Sequence, residues 1–149
     1  VLDPEVVHLT VLFIGDTHPA EVADVETSIG RAASGLAPPR IEPASIEPLP
    51  GPEHPRLIAA VAPCPPGLAE LHRRLVTRLA RPRERRRDFV PHCTIGRWPG
   101  GRGPAIAPAM PEVPVDCAFE VDAVTLVRSR LRPEGARHEP LGRVPLTGP

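Results

Sequence analysis

Apolar and polar residues alternate at the start of the chain, a pattern typical of a β-strand. Between Val6 and Ile14, large apolar side chains recur at every second position, and a strand turns alternate side chains to opposite faces. The predicted apolar face consists of Val7, Leu9, Val11 and Phe13. His8 and Thr10 are then expected together on the opposite face.

Two later stretches carry apolar residues at the spacing of an amphipathic helix. The first helix is expected to be capped by Asp16 or Thr17, with Pro19 in its first turn and Gly35 at its end. Its apolar stripe is Val22, Val25, Ile29, Ala32 and Leu36. The second helix has the stripe Leu68, Leu71, Leu75 and Leu79. Pro82 closes the second helix.

The remaining periodic segments predict extended structure. Residues 41–49 contain prolines, which lack an N–H for the ladder, so this segment is expected at a sheet edge. Strands are also predicted over 57–62, 89–97 and 119–127, with a weaker one over 136–146. The order of these elements indicates an α+β fold with two sheets or lobes.

Composition narrows the class of protein. A chain of 149 residues is normally one domain with a real hydrophobic core. Its 18 basic and 18 acidic residues cancel, so nothing indicates a protein that coats nucleic acid through its global field, and any RNA contact should be local. Proline and glycine are abundant at 23 and 12 residues, but the clear periodicity argues against disorder.

Cysteine usage and hydropathy bear on the compartment. Cys64, Cys93 and Cys117 are odd in number and have no CxxC spacing, so neither a disulfide framework nor a zinc site is expected. The sequence has no apolar run of the roughly 18 residues that a membrane span needs, and no signal-peptide pattern at its start. We therefore expect a cytoplasmic protein without membrane contacts.

Two tetrapeptides share one pattern: His8-Leu9-Thr10-Val11 and His92-Cys93-Thr94-Ile95. On a strand, each presents an imidazole and a hydroxyl on one face. Two such strands facing one cleft would supply a proton acceptor, a proton donor and two hydroxyl donors, which suffice to cleave a phosphodiester without metal. The alternative is a pair of structural histidines bonded to backbone carbonyls, which is the favoured interpretation for either histidine alone.

With these motifs the chain resembles the 2H phosphoesterase superfamily, and within it the bacterial RNA 2',3'-cyclic phosphodiesterases, also named 2'-5' RNA ligases. The segments HLTVLFIGD, LIAAVAP, DFVPHCTIGR and VTLVRSRLRPEGARHEPL follow one another in the family's order. The resemblance implies one bilobal domain over 1–149, with two antiparallel sheets that form a central cleft and helices packed outside.

The chain departs from the family pattern at two places. Relatives usually have a strand and a helix before the first motif, whereas only seven residues precede His8, so these elements are expected to be missing. Relatives also tend to carry an aromatic residue where this chain has His138, and the sequence has no tyrosine. We therefore expect weaker base stacking than in relatives.

The resemblance also implies a mechanism. The scissile phosphate would lie between His8 and His92, and Thr10 and Thr94 would donate hydrogen bonds to its nonbridging oxygens. His92 is favoured as the base and His8 as the acid that protonates the ribose 3'-oxygen, which leaves a 2'-phosphate. A ribose hydroxyl in place of water would give a 2'-5' linkage. Neither a metal nor a cofactor is expected.

Arg97 corresponds in the family to an arginine that helps to hold phosphate or ribose. A guanidinium suits bidentate phosphate contacts. Strict alternation opposes this role, because counting by twos from Cys93 places Arg97 on the face opposite to His92 and Thr94. For Arg97 to reach the phosphate, the strand would have to bend or end after Gly96. Otherwise Arg97 is a solvated arginine.

Contacts beyond the phosphate are less specific. Trp98 could stack on a base, although a lone tryptophan more often covers a core. Within the basic loop over 81–88, Arg85, Arg86 and Arg87 could follow an RNA backbone, although such loops are usually only solvated.

Three functions remain open at this point. The leading one is hydrolysis of 2',3'-cyclic phosphate ends of RNA or of small cyclic nucleotides, by a monomer. The second is hydrolysis of another cyclic or 2'-5' linked nucleotide. The third is a nucleotide-binding or RNA-binding module of the same fold without turnover.

Overall fold

The computed structural model describes residues 7–86, 88–114, 116–132 and 135–149. These residues form two compact units, each assembled from three stretches of chain. The first unit takes its described residues from 1–11, 40–65 and 88–119, and the second from 12–39, 66–87 and 120–149.

The described residues combine antiparallel strands with two helices, which confirms the predicted α+β class, and both helices lie in the second unit. The helices are α1 (Val22–Ala33) and α2 (Pro66–Leu79). The strands are β1 (Arg40–Ile41), β2 (Ser45–Leu49), β3 (Leu57–Val61), β4 (His92–Arg97), β5 (Phe119–Glu120), β6 (Ala123–Arg132) and β7 (Gly135–Pro145). Short 3-10 turns cover Pro19–Glu21, Glu84–Arg86 and Pro99–Gly101.

The first unit is built on an antiparallel sheet in the order β2-β3-β4. β2 is an edge strand, as its prolines predict: Pro48 lies opposite Ile58, where a missing N–H is tolerated. The segments 57–62 and 89–97 also form strands, as predicted, although β4 starts only at His92. β1 pairs with β5 in a separate two-stranded sheet.

The second unit packs α1 against α2 and against the hairpin of β6 and β7. The predicted stripes are its core: Val25, Ile29 and Ala32 of α1 are buried, as are Leu68, Leu71 and Leu75 of α2. Arg74 of α2 donates Nη1 hydrogen bonds to the carbonyls of Ala32, at 3.2 Å, and Ser34, at 2.9 Å. Because the last carbonyls of a helix have no partner within it, these bonds stabilise the end of α1.

The C-terminal strands differ from the prediction in their bounds. The predicted strand over 119–127 is divided into β5 and β6, because the N–H of Val121 donates to the carbonyl of Pro39 at 2.9 Å, outside the hairpin's ladder. β6 then continues past Val127 and pairs with the whole of β7, from Ala123 opposite Pro145 to Arg132 opposite Gly135. The weaker predicted strand over 136–146 is confirmed as β7.

The predicted cap of the first helix is wrong. Neither Asp16 nor Thr17 caps it; the Thr17 hydroxyl instead donates to the Gly15 carbonyl at 3.1 Å. α1 follows Glu21 without a side-chain cap, and His18 caps the 3-10 turn Pro19–Glu21 that leads into it: the Nδ1 of His18 accepts from the N–H of Ala20 at 3.2 Å, and Glu21 Oε2 accepts from the N–H of His18 at 2.9 Å. This reciprocal pair is a capping box with histidine in the place usually taken by serine or threonine.

The predicted first strand is also wrong over most of its length. Val6 lies outside the described residues, and from residue 7 to 14 only Leu9 takes part in strand pairing. Phe13, expected on the apolar face, is 62% exposed. An alternating sequence pattern identifies side chains that are suited to burial on one face. A β-strand also needs a hydrogen-bond partner for each backbone N–H and C=O group.

No helix within the described residues is both long and apolar enough to span a membrane.

Candidate active site

The two histidine motifs meet through one backbone pair. Leu9 forms an isolated antiparallel bridge with Cys93, the second residue of β4. Residues directly opposite each other share a face, so Leu9 and Cys93 lie on one face of the sheet and their chain neighbours on the other. We therefore expect His8, Thr10, His92 and Thr94 to share one face of the first unit.

The bridge also sets the order of the four side chains on that face. One residue out from this bridge, antiparallel geometry predicts His8 opposite Thr94 and Thr10 opposite His92. The two histidines are then diagonal neighbours, for which the usual separation is about 7–8 Å. That separation accommodates a tetrahedral phosphate between the imidazoles, with a hydroxyl beside each.

The four side chains are accessible to different degrees. His8 and Thr10 are exposed, whereas His92 and Thr94 are half-buried. Across β4 from Thr94 lies Ala59 of β3, which is 0% exposed. Thr94 therefore borders a closely packed, apolar part of the sheet, where a hydrogen bond to an anion is less weakened by water than on an open surface.

A backbone contact orients His92. Its Nδ1 lies 2.8 Å from the carbonyl oxygen of Val90, two residues earlier. Because a carbonyl oxygen can only accept, Nδ1 carries a proton in this contact, and Nε2 is the ring atom left to gain or lose one. The ring is thus fixed in one tautomer and presents one nitrogen for proton transfer.

Arg97 reaches the motif face, contrary to strict alternation. In the pairing of β3 with β4, Ala59 lies opposite Thr94 and Ile58 lies opposite Gly96, so Ile95 is one extra residue in β4. This β-bulge shifts the alternation by one position. Leu57 lies opposite Arg97 and shares the face of Ala59, so Arg97 shares the face of Thr94. The side chain is exposed there.

Trp98 packs against its own unit. A Cβ placed on Gly103 would lie 2.9 Å from Cδ2 of Trp98 and 2.6 Å from Cγ of Pro55, so glycine is required for this close approach. The indole also lines a cavity of about 380 Å³ together with Arg97, Met110 and other residues. This packing favours the core interpretation of Trp98, and base stacking remains a prediction.

The loop arginines belong to the second unit. Arg85 donates from Nε to the carbonyl of Ala80 at 3.0 Å, just after the end of α2, and its side chain is exposed. Arg86 ends the adjoining 3-10 turn, and Arg87 lies outside the described residues. Arg85 thus has a structural contact, and an RNA contact by this loop remains a prediction.

Cys93 lies behind the motif face and is half-buried. Burial raises the pKa of its thiol, because an apolar environment disfavours the thiolate. Among the described residues, no cluster of three or more histidine, cysteine, aspartate or glutamate side chains could hold a metal ion.

Sequence comparison and structure comparison both relate this chain to known proteins. The sequence profile of the 2'-5' RNA ligase superfamily matches residues 3–133. A Methanothermobacter thermautotrophicus protein named RNA 2',3'-cyclic phosphodiesterase is 28% identical over 139 residues, which cover 90% of this chain and 75% of that protein.

Two solved structures share the fold. TT0787 of Thermus thermophilus is 30% identical and superposes with a TM-score of 0.81, covering 99% of this chain and 81% of that one. E. coli LigT, solved in complex with 3'-AMP, is 22% identical with a TM-score of 0.76, covering 98% of this chain and 79% of that one. The 2H phosphoesterase-like α+β fold class expected from the resemblance is thereby confirmed, and the chain belongs to the 2'-5' RNA ligase superfamily of 2H phosphoesterases.

Proposed function

We propose that this protein hydrolyses 2',3'-cyclic phosphate ends of RNA to 2'-phosphates, without a metal ion, by acid-base catalysis with His8 and His92. The pairing of Leu9 with Cys93 is the observation that carries this proposal, because it joins one residue of each motif within one unit. The name of the archaeal relative, RNA 2',3'-cyclic phosphodiesterase, supports the same reaction.

In the proposed reaction His92 acts as the base. Its Nδ1 is held by the Val90 carbonyl, so Nε2 takes the proton from the attacking water. The new bond forms between the water oxygen and phosphorus. The bond from phosphorus to the ribose 3'-oxygen breaks, and protonated His8 gives its proton to that oxygen. The products are a 2'-phosphate and a free 3'-hydroxyl.

The remaining motif residues stabilise the charge that develops on the phosphorane. Thr10 and Thr94 donate hydroxyl hydrogen bonds to nonbridging oxygens, and Arg97 adds a guanidinium from the same face. A donor already fixed on a strand, as Thr94 is on β4, needs little rearrangement as the charge grows. When a ribose 5'-hydroxyl attacks in place of water, the same steps form a 2'-5' linkage.

The test is hydrolysis of a mononucleoside 2',3'-cyclic phosphate in excess EDTA, with the product isomer identified by phosphorus NMR. The wild type should release the 2'-phosphate. His8→Ala and His92→Ala should each lower kcat by roughly 10²–10⁴-fold, the usual contribution of one general acid or base. His54→Ala is the matched control, because His54 is an exposed histidine of the same unit.

Three results would contradict the proposal: release of the 3'-phosphate, full activity in either motif variant, or no turnover by folded wild type on this substrate and on a short RNA with the same end. The last result would favour a binding module of the same fold. Turnover confined to another cyclic or 2'-5' linked nucleotide would favour the second enzyme function.

A further inference from the structure

Two arginines face each other across the hairpin of the second unit. The register of β6 and β7 sets Arg130 directly opposite Arg137, next to the pair of Arg128 and Glu139. All four side chains share one face of the hairpin and are exposed. Like charges directly opposite each other in an antiparallel pair are destabilising, so this arrangement has a cost that an anion would relieve.

The nearby carboxylate is already engaged. Arg128 donates to Oε2 of Glu139 from Nη2 at 2.7 Å and from Nε at 3.2 Å. These hydrogen bonds are the main reason that the pKa of Glu139 lies below its usual value, and the charges of Arg130 and Arg137 lower it further. The guanidinium groups of Arg130 and Arg137 form no hydrogen bond or ion pair with any of the described residues. These two opposed pairs thus contribute three guanidinium groups and one carboxylate to the described part of the face.

The excess charge borders a concave surface. A cavity of about 410 Å³ is lined by Arg130, Arg137, His138, Glu139 and Pro140. This volume accommodates a phosphodiester with part of its ribose. Two guanidinium groups that line one cavity can converge on the same phosphate, and their planar N–H groups match its oxygens in pairs.

We propose that Arg130 and Arg137 form an arginine clamp that binds a backbone phosphodiester of single-stranded RNA. The identification of the strand as a substrate rests on the proposed function, whereas the binding itself does not. Because the whole chain has no net charge, the clamp acts as a local anion site and not through a global field. As a ligand of the clamp, an RNA strand with several backbone phosphates is favoured over a mononucleotide.

The experiment measures binding to a labelled single-stranded RNA of about ten nucleotides with a 3'-hydroxyl end, which offers no cyclic phosphate to cleave. Fluorescence anisotropy is recorded over a series of salt concentrations for the wild type and for Arg130→Gln/Arg137→Gln. The double variant should bind at least roughly ten-fold more weakly. Its slope of log affinity against log salt should be shallower by about 0.7 for each RNA phosphate that the variant no longer neutralises.

Arg143→Gln is the matched control. Arg143 lies in the same hairpin and carries the same charge, but its Nη2 pairs with Asp122 at 2.8 Å. This variant should retain the affinity and the salt slope of the wild type. Thermal unfolding checks integrity, and the double variant should be no less stable than the wild type because it removes a like-charge pair.

Equal RNA affinity and equal salt slope in the wild type and the double variant would overturn the clamp. Competition by poly-glutamate as effective as competition by unlabelled RNA would overturn it as an RNA site, since the face would then bind any polyanion. Binding that depends on the clamp in a protein without turnover would support the clamp and contradict the proposed function. Turnover by a protein whose RNA binding does not depend on the clamp would support the proposed function and contradict the clamp.

Discussion

Leu9 pairs with Cys93, and this single bridge aligns two motifs that lie 84 positions apart in the sequence. By alternation, both bridging side chains are expected to point away from the face of the histidines and threonines. The backbone pairing of Leu9 with Cys93 therefore positions the neighbouring motif side chains without contacting the substrate. A site formed in this way depends on backbone register, and a shift of one residue would turn one whole motif to the other face.

Removal of the motif hydroxyls should slow catalysis without unfolding the protein. Thr10→Val and Thr94→Val keep the shape and remove one donor, and hydrogen bonds to charged groups contribute about 1.5–3 kcal/mol. We expect kcat/KM for a cyclic nucleotide to fall by roughly 10- to 150-fold in each variant, with kcat affected more than KM. Thr125→Val, an exposed threonine of β6, is the control and should leave kcat/KM unchanged.

Arg97→Lys tests whether the bulge delivers Arg97 to the phosphate. Lysine keeps the charge but loses the planar fork, so a residue that donates to the phosphorane should lose about 10²-fold in kcat, in the range found for one such donor. Arg102→Lys is the control, because Arg102 is an exposed arginine of the same unit. Equal activity in the Arg97 and Arg102 variants would make Arg97 a solvated arginine.

Elements whose stability comes from their own buried stripe could be predicted from the sequence. Leu68, Leu71 and Leu75 are all buried on α2, within the predicted helix. The prediction of the first strand failed because apolar alternation says nothing about strand pairing, in which only Leu9 takes part between residues 7 and 14. The cap at His18 was not predicted, because Asp16 and Thr17 are the more usual capping residues. In the structure Thr17 donates its hydroxyl to Gly15 instead, and His18 accepts from Ala20.

The motif residues could be singled out from the sequence because they repeat, whereas their neighbours on the face depend on register. The extra residue Ile95 becomes visible only when β4 is aligned with β3, so sequence alternation assigned Arg97 to the opposite face. The arginine clamp could not be found from the sequence for the same reason. Arg130 and Arg137 are seven positions apart and become partners only once the hairpin register is fixed.

His18 should contribute to stability through its capping box. His18→Ala removes the acceptor for the N–H of Ala20, and loss of a helix cap costs about 0.5–2 kcal/mol. Urea unfolding should show a lower midpoint with an unchanged slope. His18→Asn, which restores a side-chain acceptor, should recover most of the loss. If alanine and asparagine destabilise equally, the cap does not contribute through its hydrogen bond.

Glu70 should make stability depend on pH in the acid range. Hydrogen bonds from Arg73 and Arg74 lower the pKa of Glu70 from 4.5 to about 2. Since the pKa is depressed in the folded state, the stabilisation is present above the unfolded value near 4.5 and is lost as the pH falls towards 2.

The melting temperatures of the wild type and Glu70→Gln should therefore differ by a constant amount above about pH 5.5 and converge between pH 4.5 and 2. Glu53→Gln, which changes an exposed loop residue, serves as the control. Because Glu70 also holds Arg74, whose guanidinium reaches the carbonyls of Ala32 and Ser34, the variant should loosen the end of α1 as well. Faster amide exchange in the last turn of α1 than in the Glu53→Gln control would detect this coupling. A difference in melting temperature that does not change with pH would show that the ion pairs of Glu70 are not the source of the stabilisation.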